Sequence, residues 1–105
     1  TDTDWEEISA LYDALAQVAP SPIVELNRAV AYSMAYGPDA GLEIVDALEG
    51  EPFLKKYHLL PAVRGDLLAK LEKREEASAE FKRAAALTQN EQERVLLQKR
   101  ATDLV

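Results

Sequence analysis

The chain has no cysteine among its 105 residues, which excludes a disulfide framework, a thiolate metal site and a cysteine nucleophile. A single histidine, His58, leaves no second one for a two-histidine metal site or a histidine relay. It is expected to top a helix and bond to backbone. Glycine-rich phosphate loops are missing, as are a signal-peptide pattern and any apolar run long enough to span a bilayer. A cytoplasmic setting without membrane contact, cofactor or metal is therefore expected. Basic residues are also scarce, with 12 Lys and Arg against 19 Asp and Glu for a net charge of −7, so nucleic acid would meet a repulsive field. Direct nucleic-acid binding is not expected.

Carboxylates are plentiful, yet pairs such as Glu6-Glu7 and Glu75-Glu76 sit beside caps or on faces crossed by Lys and Arg, as solvated helix surfaces do. No catalytic residue is assigned, and the chain is not expected to be an enzyme. Lys70, Lys73, Arg74, Lys82 and Arg83 are the one basic concentration, interleaved with Glu72, Glu75, Glu76 and Glu80. Pairing within helices accounts for that mixture.

What the sequence does contain is helical periodicity. Trp5, Ile8, Leu11, Tyr12, Leu15 and Val18 recur at three- and four-residue steps behind a Thr3–Glu6 capping box, predicting a first helix over 4–18. Ser21 is placed to cap a second helix and Pro22 to open it, and this helix runs to Tyr36 before Gly37 and Pro38 stop it. A third helix carries Leu42, Ile44, Val45 and Leu48. A fourth spans Tyr57 to Leu71, a fifth Arg74 to Leu87, and a sixth starts at Asn90, with Glu93 reinforcing its cap. Short connections make sequential helices neighbours, so one all-α domain of about six antiparallel helices is expected. Thr1 in place of Met, and Val105 ending in a helical pattern, suggest a piece of a longer polypeptide.

Ala77, Phe81 and Ala84 carry the Ala-x3-Phe-x2-Ala spacing of the second helix of a tetratricopeptide repeat, with Gly65 twelve residues upstream. The same spacing at Ala40, Ile44 and Ala47 gives an offset of 37 residues (77 − 40 = 81 − 44 = 84 − 47), and Phe53 to Lys56 reads as an insertion. Arg64 before the Gly, Pro61 in place of an aromatic and Arg28 in place of the first hairpin's Gly depart from the pattern. Two hairpins, 22–49 and 57–87, are thus expected, capped by helix 4–18 and helix 90–104 because so short an array exposes too much apolar surface. The leading helices would line a groove with Glu25, Ala29, Tyr32 and Ser33 on one side and Ala62, Asp66, Ala69 and Lys70 on the other. A peptide or a protein surface could lie there.

Asn27 and Arg28 are the polar residues amid the apolar second helix. Asn27 is expected to tie that helix to backbone, or to the start of the first helix at Thr3 to Trp5. Arg28 is expected to pair with Asp4 or Glu25, or with Trp5 and Tyr12 to anchor a partner. The candidate protein-binding residues are Trp5, Tyr12, Glu25, Arg28, Tyr32, Asp66 and Lys70. An alternative use is a small-ligand pocket near Trp5, Tyr12 and Tyr57.

The stretches DWEEISALYDAL, PSPIVELNRAVA, GPDAGLEIVDAL, YHLLPAVRGDLLAKL and NEQERVLLQKR together resemble, over nearly the whole chain, the C-terminal tetratricopeptide-like extension of a group of bacterial extracytoplasmic-function sigma factors. The resemblance implies a parent that binds RNA polymerase and promoter DNA through N-terminal regions absent from this chain. It implies a regulatory, protein-binding role here, through contacts with the sigma core, the polymerase or another regulator. Leu71-Glu72-Lys73-Arg74 departs from the Leu-Gly-Arg turn more usual in that group.

Overall fold

The computed structural model describes residues 3–105, and its first helix takes its cap one residue later than the capping box predicts. Asp4, not Thr3, accepts from the Glu7 backbone N–H at 3.0 Å, and α1 runs Trp5–Val18. Ser21 and Pro22 act as expected: the Ser21 hydroxyl accepts from Val24 N–H at 3.1 Å and α2 is Pro22–Tyr36. Gly37 at φ 107 turns the chain directly into α3, Pro38–Leu48. A single 3-10 turn, Pro52–Leu54, then buries Leu54 completely while leaving Phe53 outside. Helix α4 is Leu59–Lys70, two residues later in starting than predicted; Pro61 falls in its first turn, where its missing N–H costs no bond. Helix α5 is Arg74–Leu87 and α6 is Glu91–Leu104.

Three antiparallel relationships follow from these short links: α2 against α3, α4 against α5, and α5 against α6, with α1 lying on α2. The result is an all-α array of helical hairpins. One apolar cluster joins Leu26, Ala29, Val45, Leu48, Leu54, Leu60 and Leu67; a second joins Leu68, Ala77, Phe81, Ala84, Ala85, Leu97 and Ala101. Adjacent residues Leu67 and Leu68 of α4 enter different clusters, so α4 is apolar on two sides and serves both hairpins.

Burial corrects the internal repeat by one residue. In α3 the buried positions are Gly41, Val45 and Leu48, whereas Ala47 is exposed and Ala40 and Ile44 are half-buried. Matching Gly41, Val45 and Leu48 to Ala77, Phe81 and Ala84 gives an offset of 36 (77 − 41 = 81 − 45 = 84 − 48). The same step relates Ala29, Gly65 and Ala101 on the leading helices α2, α4 and α6, and all three are buried. Ala29, not Arg28, is thus the counterpart of Gly65. These small residues set the interhelical distance: a Cβ added to Gly41 would lie 2.7 Å from the Ala29 carbonyl oxygen, and one added to Gly65 would lie 3.1 Å from the Phe81 ring.

The turn between α4 and α5 forms without glycine. Glu72 takes the left-handed conformation, φ 62, so that Lys73 N–H bonds to Leu68 C=O at 2.9 Å and Glu72 N–H to Ala69 C=O at 3.0 Å, the paired bonds of a Schellman motif. A glycine pays no steric cost there.

Two stability predictions follow, both read by urea or thermal unfolding. Gly41→Ala is expected to destabilise by roughly 1–3 kcal/mol because the new methyl meets backbone, while Gly65→Ala stays near neutral, its gain in helix propensity offsetting a small shift of Phe81. Glu72→Gly is expected to stabilise by roughly 0.5–1 kcal/mol, the relief of left-handed strain exceeding the added freedom of the unfolded chain.

Candidate functional site: a groove across the leading helices

The side chain one position before each small residue is an arginine: Arg28, Arg64 and Arg100 share the 36-residue step. Helical rotation carries this position off the hairpin contact and toward neighbouring helices. Arg28 Nε and Nη2 donate to the two Glu25 oxygens at 2.8 and 3.1 Å, and Nη1 donates to Asp13 of α1 at 3.1 Å. Glu25 is therefore a partner as expected, but Asp4 is not, because it caps α1; Asp13 takes that part. Tyr32 completes the group: its hydroxyl donates to Asp13 at 2.7 Å and its ring lies 5.1 Å from the Arg28 guanidinium. The hydrogen bonds to Glu25, outweighing burial, hold Arg28 above its ordinary pKa, and the bond to Asp13 pushes the Tyr32 phenol up.

Arg64 repeats this arrangement one hairpin on. Its Nε donates to Asp46 of α3 at 2.9 Å, and its Nη1 approaches Glu80 of α5 at 3.6 Å. Arg83 bridges the Glu80 carboxylate at 2.8 Å and Glu49 at 3.1 Å, so the basic residues of α5 also pair between elements, not solely within their helix. Arg100 lies over the Phe81 ring at 4.2 Å and donates to Asp66 at 3.0 Å. Lys70 approaches the other Asp66 oxygen at 3.1 Å. Burial raises the Asp66 pKa, but the hydrogen bonds from Lys70 and Arg100 outweigh it and leave the carboxyl below its usual range.

Asp66 and Lys70 face a cavity of about 310 Å³ between α2 and α4, lined also by Val30, Ser33, Met34, Ala62, Val63 and Leu67. Ala69, Arg100, Asp103 and Leu104 line a second hollow, of about 240 Å³, on the α6 side. The groove thus has an apolar floor and a charged centre. Ser33, Ala62, Asp66 and Lys70 stand where the sequence predicts. Ala29 does not, being wholly buried, and Glu25 and Tyr32 turn toward α1. Val30 and Met34, which the periodicity did not single out, replace them; Met34 is 48% exposed.

Trp5 and Tyr12 are half-buried on α1, and the ring beside Arg28 is that of Tyr32. Tyr57 packs on the first apolar cluster, and the α1–α2 hollow is lined by Asp13, Ala16, Gln17, Pro20, Glu25 and Arg28. A shared Trp5–Tyr12–Tyr57 pocket is accordingly not what the packing presents. Asn27 is exposed on α2, so it does not serve as a buried tie. His58 opens α4 but bonds to a side chain instead of backbone: its Nε2 is 2.6 Å from Glu93 of α6, whose carboxylate also accepts from Thr88 at 2.6 Å. Among the described residues no cluster of three potential metal ligands occurs, and no helix is long and apolar enough to cross a membrane.

The chain is 50% identical over 91 residues, 87% of its length, to an uncharacterized protein of Rhizobium meliloti (strain 1021). Those residues are 21% of that protein, so the chain spans about a fifth of the relative it matches. No protein-family profile matches the chain. No solved structure matches it either.

The Asp66 network sets a pH dependence. Its folded pKa lies below the unfolded value of 3.8, so its contribution is complete above that value and is lost as pH falls through the folded pKa. Asp66→Asn is expected to flatten the acid limb of stability against pH and to cost about 0.2–1 kcal/mol at pH 7, a modest figure because the pair is solvent-accessible. Urea unfolding at pH 7 and at pH 3 checks both parts.

Proposed function

We propose that this chain is a regulatory protein-interaction domain of a bacterial extracytoplasmic-function sigma factor, working in the cytoplasm on transcription initiation. Its partner is the sigma core, RNA polymerase or another regulator, held along the face of α2, α4 and α6. The groove with Val30, Met34 and Leu67 as floor and Asp66, Lys70 and Arg100 as charged centre is the observation that carries this reading. Open, apolar-floored and rimmed by both charge signs, it suits a protein segment. The sigma-factor part is supported by the sequence stretches quoted above and is compatible with a match confined to one part of a much longer relative. An acidic domain tethered to a basic DNA-binding core also gains contact through local concentration.

No catalytic step enters the proposal. His58 already bonds to Glu93, and Asp66 is held between two cations. A second reading, small-ligand sensing, is favoured by a different hollow of about 440 Å³ at the α3–α4 link, where Leu54, Leu60 and Pro61 form the floor and Lys55 and Arg83 stand at the rim. It is of ligand size. A ligand-dependent rise in melting temperature that Leu60→Ala abolishes would favour it.

Val30→Asp and Met34→Glu test the groove, since both side chains are exposed enough for the fold to tolerate charge. In the full-length factor each is expected to weaken capture of sigma regions or polymerase about tenfold or more, as the loss of about 1.4 kcal/mol or more of buried contact requires. Promoter-specific transcription should change in parallel. Unchanged capture and unchanged output, at equal protein level, would remove the reading.

A further inference from the structure

Helix α1 leaves an apolar seam uncovered. Ser9 is buried, and Asp13 reaches Arg28 of α2, while Leu11 is 63%, Leu15 42% and Val18 83% exposed. These three residues lie at helical spacing on a common face, with Ile8 half-buried beside them. A terminal cap should present polar residues outward. This one presents leucine.

The charged contacts show what kind of helix α1 is. Asp13 lies nine residues after the N-cap Asp4 and accepts from Arg28; Asp46 lies nine residues after the N-cap Gly37 and accepts from Arg64. Arg28 and Arg64 are themselves repeat equivalents. Thus α1 stands to α2 as α3 stands to α4: each is a second helix bonded to the leading helix that follows it. In that register Gly41, Val45 and Leu48, by which α3 packs on its own leading helix, correspond to Ile8, Tyr12 and Leu15. Leu48 is 8% exposed where Leu15 is 42%. Helix α5 agrees, since it is covered on both sides: Phe81 meets Gly65 of α4, and Ser78 donates to Ala101 C=O of α6 at 2.8 Å.

We propose that α1 is the second helix of an incomplete hairpin, and that its Ile8–Leu11–Leu15–Val18 seam is the docking face of a leading helix from the same polypeptide. The proposal rests on the reading above that this chain is one part of a longer polypeptide. Chain order within a hairpin puts the leading helix first, so the occupant lies N-terminal to Asp4. Its chemistry follows from the seam. It is an amphipathic helix of three or four turns, antiparallel to α1, with Ala or Gly opposite Ile8 as Ala29 is opposite Gly41. Its C-terminal turn carries Lys or Arg, because that end lies beside Asp4, Glu6 and Glu7, and α1 has no basic residue to answer them. The Rhizobium meliloti relative has ample chain for such a helix, with the match covering 21% of it.

The test uses the full-length polypeptide. Leu11→Cys is expected to react with a water-soluble maleimide at least tenfold more slowly than Ala10→Cys, its exposed neighbour on the same helix, with the labelled site read by peptide mass spectrometry. Equal rates would overturn the proposal. Should Leu11→Cys disturb folding, benzoylphenylalanine at Val18, which is exposed enough to tolerate it, supplies a second measurement by photo-crosslinking. A crosslink to a segment of the same molecule N-terminal to Asp4 supports the proposal; a crosslink to another copy, to a separate protein, or to no segment overturns it. Neither readout involves promoter output, so the docking result and the transcription reading stand or fall separately.

Discussion

The closeness with which each leading helix meets its second helix is the constraint on which this structure depends. Ala29, Gly65 and Ala101 recur every 36 residues, and all three are buried at these contacts. Backbone carbonyl, alanine methyl and phenyl ring reach van der Waals contact there, and dispersion rises steeply at such distances. Because the chain winds about 100° per residue, fixing the small residue also fixes its predecessor's direction. That predecessor is arginine each time.

The arginines then connect neighbouring helices, across hairpins and, at Arg64, within one as well. Arg28 ties α2 to α1, and Arg64 ties α4 to α3 and α5. Each uses the planar fork of guanidinium on carboxylate, where lysine would offer a single point charge. The net energy of such half-exposed pairs is small. Their larger effect is on register: sliding one hairpin past the other by a helical turn would part Arg64 from Asp46 and Arg83 from Glu49. Arg100 shows the limit of the pattern. Position 82 on α5, nine residues after the N-cap Lys73, is a lysine, so Arg100 turns to the Phe81 ring and to Asp66. That substitution of partner is what brings a cation to the groove's centre.

Helix number, order and most boundaries were legible because capping and periodicity are local. Pro22–Tyr36 and Arg74–Leu87 needed only Ser21, Pro22, Gly37 and the spacing of apolar residues. Repeat register was less legible. Ala40, Ile44 and Ala47 look more like Ala77, Phe81 and Ala84 than Gly41, Val45 and Leu48 do, yet burial selects the latter, since a glycine can serve wherever an alanine packs. The groove inherited that one-residue error, which put Ala29 in it and left Val30 and Met34 out. Asp13 was missed for another reason. A carboxylate fifteen residues from its arginine has no sequence signature, and the second Arg–Asp pair, Arg64 with Asp46, becomes recognisable as its equivalent only once the 36-residue step is known.

The two ends of the described array differ in kind. One is a helix of second type, α1, with an apolar seam and acidic flanks; the other is a leading helix, α6, exposing Val95 and Leu96 at 56% and 58% and carrying Lys99 and Arg100 nearer its C-terminus. A leading helix seated on α1, as proposed above, would lengthen the face of α2, α4 and α6 by one more element, so that completing the first hairpin and extending the groove would be a single structural act.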